Sequence, residues 1–343
     1  MDWLLSLLVV ALIAASLIVW AGVAAKWRQG APIVPYEPRR PVPWTIVDLL
    51  AIAVVYVLTN VALVVGLHEI TGTAIGEERS LNDIAAAMLA TSLANLSTAG
   101  LAIFWVRRRA GASWADLGFR FDRAVGDLRL GLLAFAAVSA PVYLLQSLLS
   151  QLVKEQHPII EMLQRHRELW VFALSGLSAV IIAPIAEELF FRVLLQGWLE
   201  SLAGGPRPAP ADPSQAAVEQ VPNLPLSAGP ADPENPYSPS PSLASSRHGE
   251  PAAVEPGPAA SPGARYSWGA LRWDYLSIIV SSLVFSLMHL GHGADPIPLF
   301  FLALALGYLY QCTGRLLPSV VVHFCLNGCS MLALCFGAAA GGK

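Results

Sequence analysis

The chain has 343 residues, 55% of them hydrophobic and only 13% charged, with a mean hydropathy of +0.57. Soluble globular proteins carry about 25% charged residues, so half that share excludes an ordinary water-soluble domain and makes the lipid bilayer the first partner. The net charge of −3 gives no electrostatic footprint for nucleic acid.

In chain order, apolar runs long enough to cross a bilayer lie near residues 3–25, 46–67, 82–106, 130–153, 169–198, 274–292, 297–312 and 316–338. The expected fold is therefore an all-α polytopic membrane protein with about eight transmembrane helices. Asp2 stands where a secretory signal would carry a positive n-region, and the first apolar run is too long for an h-region, so this run reads as a retained anchor. Residues 1–128 hold helices one to three with their basic loops, 129–200 hold helices four and five, and 273–343 hold helices six to eight.

Loops after spans one, three, five and seven carry 4, 6, 4 and 1 Lys or Arg residues, against 1, 3 and 0 after spans two, four and six. Cytoplasmic loops carry the positive excess, which predicts both termini outside. The segment 201–272 breaks the pattern. It holds 15 of the chain's 26 prolines, with abundant Ala, Ser and Gly and no apolar periodicity. Such a composition cannot bury enough surface to offset its ordering entropy, and it reads as a disordered cytoplasmic insertion, either a tolerated expansion or a tether. The Ala/Pro-rich loop and the short connections point to a bacterial plasma (inner) membrane.

Cys312, Cys325, Cys329 and Cys335 all fall in the last two spans and read as small packing residues. His68, His157, His166 and His248 read as loop residues, and His292 stands at the end of span six. The informative residues are ionisable groups inside spans. Each costs about 2.5–3.5 kcal/mol at the bilayer centre on insertion scales and so points to function. They are Glu187, Glu188 and Arg192 in span five, His289 in span six and His323 in span eight, with Asn327 as a further polar group.

On a regular helix Glu188 and Arg192 meet at i, i+4, while Glu187 is turned about 100° away. One carboxylate neutralises the arginine and the other stays available; the plain alternative is a buried polar knot of all three. Phe285 and His289 share a face, as do His323 and Asn327. A carboxylate, two imidazoles, an amide and water are the parts for hydrolysing an acyl bond. Glu187 with His289 activates water as general base, and His323 with Asn327 stabilises the oxyanion.

At these residues the chain resembles the CPBP family (CAAX proteases and bacteriocin-processing enzymes, also called Abi), which includes the type II CAAX prenyl endopeptidases. Its EExxxR motif matches Glu187, Glu188 and Arg192; its FxxxH motif matches Phe285 and His289; its HxxxN motif matches His323 and Asn327. The resemblance covers about residues 170–334 without the insertion. It implies an eight-helix fold around an intramembrane polar cavity open to the cytoplasm, and an endopeptidase acting on a peptide or membrane-protein substrate. Glu187, His289, His323 and Asn327 are then catalytic, and Glu188, Arg192 and Phe285 supporting. Prenyl-processing members remove the last three residues of a prenylated protein; most bacteria lack protein prenylation, so a bacterial peptide, leader or membrane segment fits better. Relatives are linked to bacteriocin maturation and self-immunity.

No HExxH helix is present, because "HEITG" at His68 lacks the second histidine. No cofactor is favoured, and the zinc alternative places Zn²⁺ on Glu187, His289 and His323 in an open three-ligand site. Gly291–Asp295 is not an aspartyl-protease GxGD, and Ser178 lacks the glycine that follows a rhomboid serine. The rival class is a non-enzymatic scaffold, immunity protein or transporter that uses the polar cluster to bind.

Overall fold

A computed structural model describes residues 2–37, 40–71, 81–152, 163, 168–202, 268–291 and 293–340. These residues form helices and connecting turns, with no strand among them. The helices are α1 (Asp2–Arg28), α2 (Ile46–Thr71), α3 (Leu81–Arg109), α4 (Ala124–Leu149), α5 (Leu169–Leu202), α6 (Trp268–Leu287), α7 (Pro296–Thr313) and α8 (Leu317–Ala340). A 3₁₀ turn at Phe121–Arg123 leads into α4. The chain divides into two units, 1–208 with 271–343, and 209–270. The expected disordered insertion falls on the second unit, and its residues 203–267 lie outside the described residues. Helix continues to Leu202 and resumes at Trp268, inside the expected bounds of that insertion.

Among the described residues seven helices are long and apolar enough to cross a membrane, which makes the chain an all-α multi-pass membrane protein. The expected sixth span is the short one. The apolar part of α6 is Tyr275–Leu287, and the chain turns at 288–291, where Gly291 takes φ 101°. A positive φ is nearly free for glycine. His289 therefore sits in the turn after α6 rather than on its helical face. His68, expected in a loop, lies in α2, which runs on to Thr71.

The surface is inverted relative to a soluble protein. Leu58, Leu93 and Leu144 are each more than 60% exposed, while Ser139, Gln196, Ser281 and Ser282 are fully buried. In lipid no hydrophobic force drives helices together, so small residues and interhelical hydrogen bonds carry the contacts. Gly131 of α4 shows the first device, since a Cβ there would stand 2.6 Å from Val321 Cβ of α8. Apolar packing fills several interior clusters, two of them large. One joins Trp44, Ile52, Val106, Leu189, Val193, Leu194 and Tyr310, and the other joins Val142, Leu302, Leu306, Val322 and Leu326.

Ion pairs close one end of the bundle. Arg315, in the α7–α8 turn, donates through Nε to Asp127 Oδ1 at 2.6 Å and through Nη1 to Glu37. Burial pulls the Arg315 guanidinium down, but hydrogen bonds and charge from Glu37 and Asp127 outweigh it and hold its pKa above the ordinary value. Beside it, Asp48 of α2 accepts from Arg109 Nη1 at 2.6 Å and from Trp105 Nε1 at 2.9 Å on α3. These contacts gather the α1–α2, α3–α4 and α7–α8 connections on one face, as alternating crossings require.

Replacing Arg315 with Met leaves Asp127 buried without its cation. The expected loss is about 3–5 kcal/mol, read as a lower unfolding midpoint in detergent. Glu37→Gln, at a 40% exposed position, is expected to change stability by less than about 1 kcal/mol. An Arg315→Met protein as stable as the parent would show that this network does not hold the connections together.

Candidate active site

The site begins with α5, which is helical throughout but not regular. Leu177–Ile182 and Leu189–Gln196 form π turns on either side of the α-helical Ala183–Glu188. Pro184 supplies a local reason for the first. Its ring lacks an N–H and would clash with the carbonyl four residues back in a regular helix, and a wider turn relieves both problems. The two glutamates lie between the wide turns.

Their surroundings differ sharply. Glu188 is fully buried and accepts from Arg192 Nε at 3.1 Å, the i, i+4 pair expected from sequence. Its other oxygen lies 3.1 Å from His323 Nδ1 of α8, which donates to it. Glu187 is 28% exposed, and its Oε2 stands 3.6 Å from Nε2 of the same imidazole. That separation is too long for a direct hydrogen bond and suits a shared water. His323 thus lies between the two carboxylates.

Phe285 of α6 is the hub of the remaining contacts. Its ring centroid is 4.8 Å from that of His289, 5.9 Å from that of His323 and 5.1 Å from that of Phe191. The Arg192 guanidinium lies 5.2 Å from the same ring, within cation–π range. His289 is oriented by the end of α6. Its Nδ1 is 2.8 Å from the Phe285 carbonyl and donates to it, satisfying one of the last-turn carbonyls a helix end leaves unpaired. That bond puts the proton on Nδ1 and leaves Nε2 as the basic nitrogen.

Six sequence-nominated residues, Glu187, Glu188, Arg192, Phe285, His289 and His323, are linked in one continuous cluster. Asn327 takes another partner. Its Nδ2 donates to the Ala179 carbonyl at 2.8 Å, pinning α8 to the first wide turn of α5; an amide nitrogen carries two donors, so this uses one. Sequence reasoning did not nominate Phe191, whose ring lines the hub, or Tyr56 of α2, which packs edge-on against Phe190 at 6.1 Å and lies within reach of the Glu187 charge. Phe191 carried no signal beyond adjacency to the motif. Tyr56 carried none, because an aromatic residue in an apolar span looks like every other.

For the zinc alternative, the test is whether Glu187, His289 and His323 converge on one point. Among the described residues no group of three His, Cys, Asp or Glu side chains is placed to hold a metal ion. Nδ1 of His323 faces Glu188, and Nδ1 of His289 is committed to a carbonyl. As arranged, Glu187, His289 and His323 do not form a three-ligand group.

The fold and site define a multi-pass helical membrane protein with an acid–imidazole cluster between its helices. Comparison with known families narrows the class. The family model described as type II CAAX prenyl endopeptidase Rce1-like matches residues 169–216 and 264–329. All seven nominated residues fall within these stretches, and the match supports assigning the chain to the CPBP/CAAX type, a family of proteases. No curated protein matches the chain. No solved structure matches it either.

The two glutamates should respond differently to neutralisation. Glu188→Gln leaves Arg192 buried without a counter-charge and should cost about 3–5 kcal/mol of stability. Glu187→Gln, at a partly exposed position, should cost less than about 1 kcal/mol. Denaturant or thermal unfolding in detergent measures both, and equal losses would contradict the division between a sealed and an accessible carboxylate.

Proposed function

We propose that the chain is an intramembrane endopeptidase of the CPBP/CAAX type, in which Glu187 is the general base. The observation that carries this reading is the contrast between adjacent carboxylates. Glu188 is committed to Arg192 and His323, while Glu187 is partly exposed and opposed by an imidazole nitrogen at 3.6 Å.

In this reading a water beside Glu187 gives up a proton to the carboxylate as its oxygen adds to the scissile carbonyl carbon. The basic Nε2 of His289 orients that water. The oxyanion that forms is met by His323 through Nε2–H and by Asn327 through its second amide N–H. Glu187 returns the proton to the departing amine, the C–N bond breaks, and an acid and an amine leave. Arg192 and Glu188 hold His323 at its angle, and Phe285 sets the spacing between the two imidazoles. No cofactor takes part in this scheme.

We further propose that the substrate is a bacterial peptide or membrane-protein segment, and that the site opens toward the cytoplasm of a bacterial inner membrane. The Lys/Arg distribution among the loops supports that orientation. Prenylated substrates, bacteriocin processing and immunity remain narrower variants of the same chemistry.

The test is cleavage of a quenched fluorescent peptide library by the purified protein in detergent. Glu187→Gln should lower the rate by about 10²–10⁴, and His323→Ala by about 10²–10³, while a zinc chelator should leave the rate unchanged. Loss of cleavage with chelator and recovery with zinc would replace the glutamate mechanism by the metal one. Full activity in Glu187→Gln would remove the assigned base.

A further inference from the structure

The polar groups do not stop at the glutamates. From Glu188 every fourth residue of α5 is polar: Glu188, Arg192, Gln196 and Glu200. The facing row on α6 is Ser277, Ser281 and Phe285, with His289 in the turn beyond. The rows meet antiparallel, in register. Ser281 Oγ donates to Gln196 Oε1 at 3.4 Å, and one rung on the Arg192 guanidinium lies 5.2 Å from the Phe285 ring.

The seam is specific at the Gln196 rung. The amide, fully buried, donates to the Gly307 carbonyl at 2.8 Å and to Glu200 Oε1 at 2.9 Å. Glycine is required opposite it, because a Cβ on Gly307 would lie 2.9 Å from Gln196 Oε1 and 2.8 Å from Ile278 Cγ2. The next rung is different. Arg192 Nη1, Arg192 Nη2 and Ser282 Oγ are buried and have no hydrogen-bond partner among the described residues. Ser282 precedes Phe285 by three residues, so it lies on the helix face that meets Arg192.

Buried polar atoms without a partner are costly, and most so on a charged group. The ligand that answers them must accept from two guanidinium N–H groups and exchange a hydrogen bond with a hydroxyl. An anion fits poorly, because Glu188 already balances the Arg192 charge at 3.1 Å. Water fits, since it accepts and donates and needs two to four polar partners in a buried site.

We propose that the α5–α6 seam holds ordered water against Arg192 and Ser282. The water site stands behind the Glu188–Arg192 pair, distinct from the water beside Glu187. Its role as a reservoir for hydrolysis rests on the protease reading; its existence does not. Ser281 and Gln196 are positioning residues that hold α5 against α6 at the rung next to this site.

The experiment is cysteine accessibility in membrane vesicles, with the four native cysteines replaced by alanine. Ser282→Cys and Ser281→Cys should react with a small water-soluble methanethiosulfonate at least about tenfold faster than Leu283→Cys on the lipid-facing side, because the reactive thiolate forms only where water reaches it. Labelling of Ser282→Cys as slow as that of Leu283→Cys would overturn the proposal. Radiolytic hydroxyl labelling of the unmodified protein is the second measurement, independent of any variant. After normalisation for intrinsic reactivity, Phe285 should be oxidised faster than Leu306, both fully buried; equal rates count against the water site. A hydrated seam in a protein that cleaves nothing retires the protease reading alone, and a dry seam in an active protease retires the water site alone.

Discussion

A carboxylate sealed inside a membrane protein dictates the arrangement around it. Glu188 has no exposure, and an unpaired charge at that depth costs several kcal/mol even after relaxation. Its two oxygens are answered from different directions, by Arg192 on its own helix and by His323 on α8. That double requirement sets the separation and rotation of α5 against α8. Phe285 then brings in α6, because its ring is covered at once by the Arg192 guanidinium, His289, His323 and Phe191. Three helices distant in sequence are held in one geometry by one buried charge and one aromatic ring.

The irregular course of α5 gives neighbouring residues unlike environments. On a helix two consecutive side chains already diverge by about 100°. The wide turns before and after Ala183–Glu188 add freedom in how that segment is presented. One glutamate is buried as structure and the other stays partly exposed. π turns are enriched at functional sites because they shift a register without ending a helix. Here one of them also supplies the Ala179 carbonyl that anchors Asn327.

Away from the site the bundle obeys the rules of lipid as a solvent. Close contacts are made where a Cβ is missing, as at Gly131 and Gly307, and buried serines bond to nearby carbonyls. At the end that carries most of the basic residues, Arg315 and Asp48 organise two ion-pair groups that join successive connections. Rigid ends and a polar centre suit a site whose groups must keep fixed distances while surrounded by mobile acyl chains.

Composition and local spacing fix the environment, the helical class and most of the cluster. Long apolar runs cannot satisfy their backbone in lipid except as helices, and so the spans were legible, apart from α6, which is shorter than its apolar run suggested. The Glu188–Arg192 pair was legible because an i, i+4 contact depends only on local geometry. What only the tertiary structure decided is which imidazole faces which carboxylate. Chemical role paired Glu187 with His289 and His323 with Asn327; the fold adds contacts that roles do not record, with His323 between the glutamates, Asn327 on the Ala179 carbonyl and His289 on the Phe285 carbonyl. Those partnerships depend on the rotation of α5 and α8 about their axes and on where α6 ends. Wide turns and helix ends are set by packing between spans rather than by any period within one, and no single-span pattern records them.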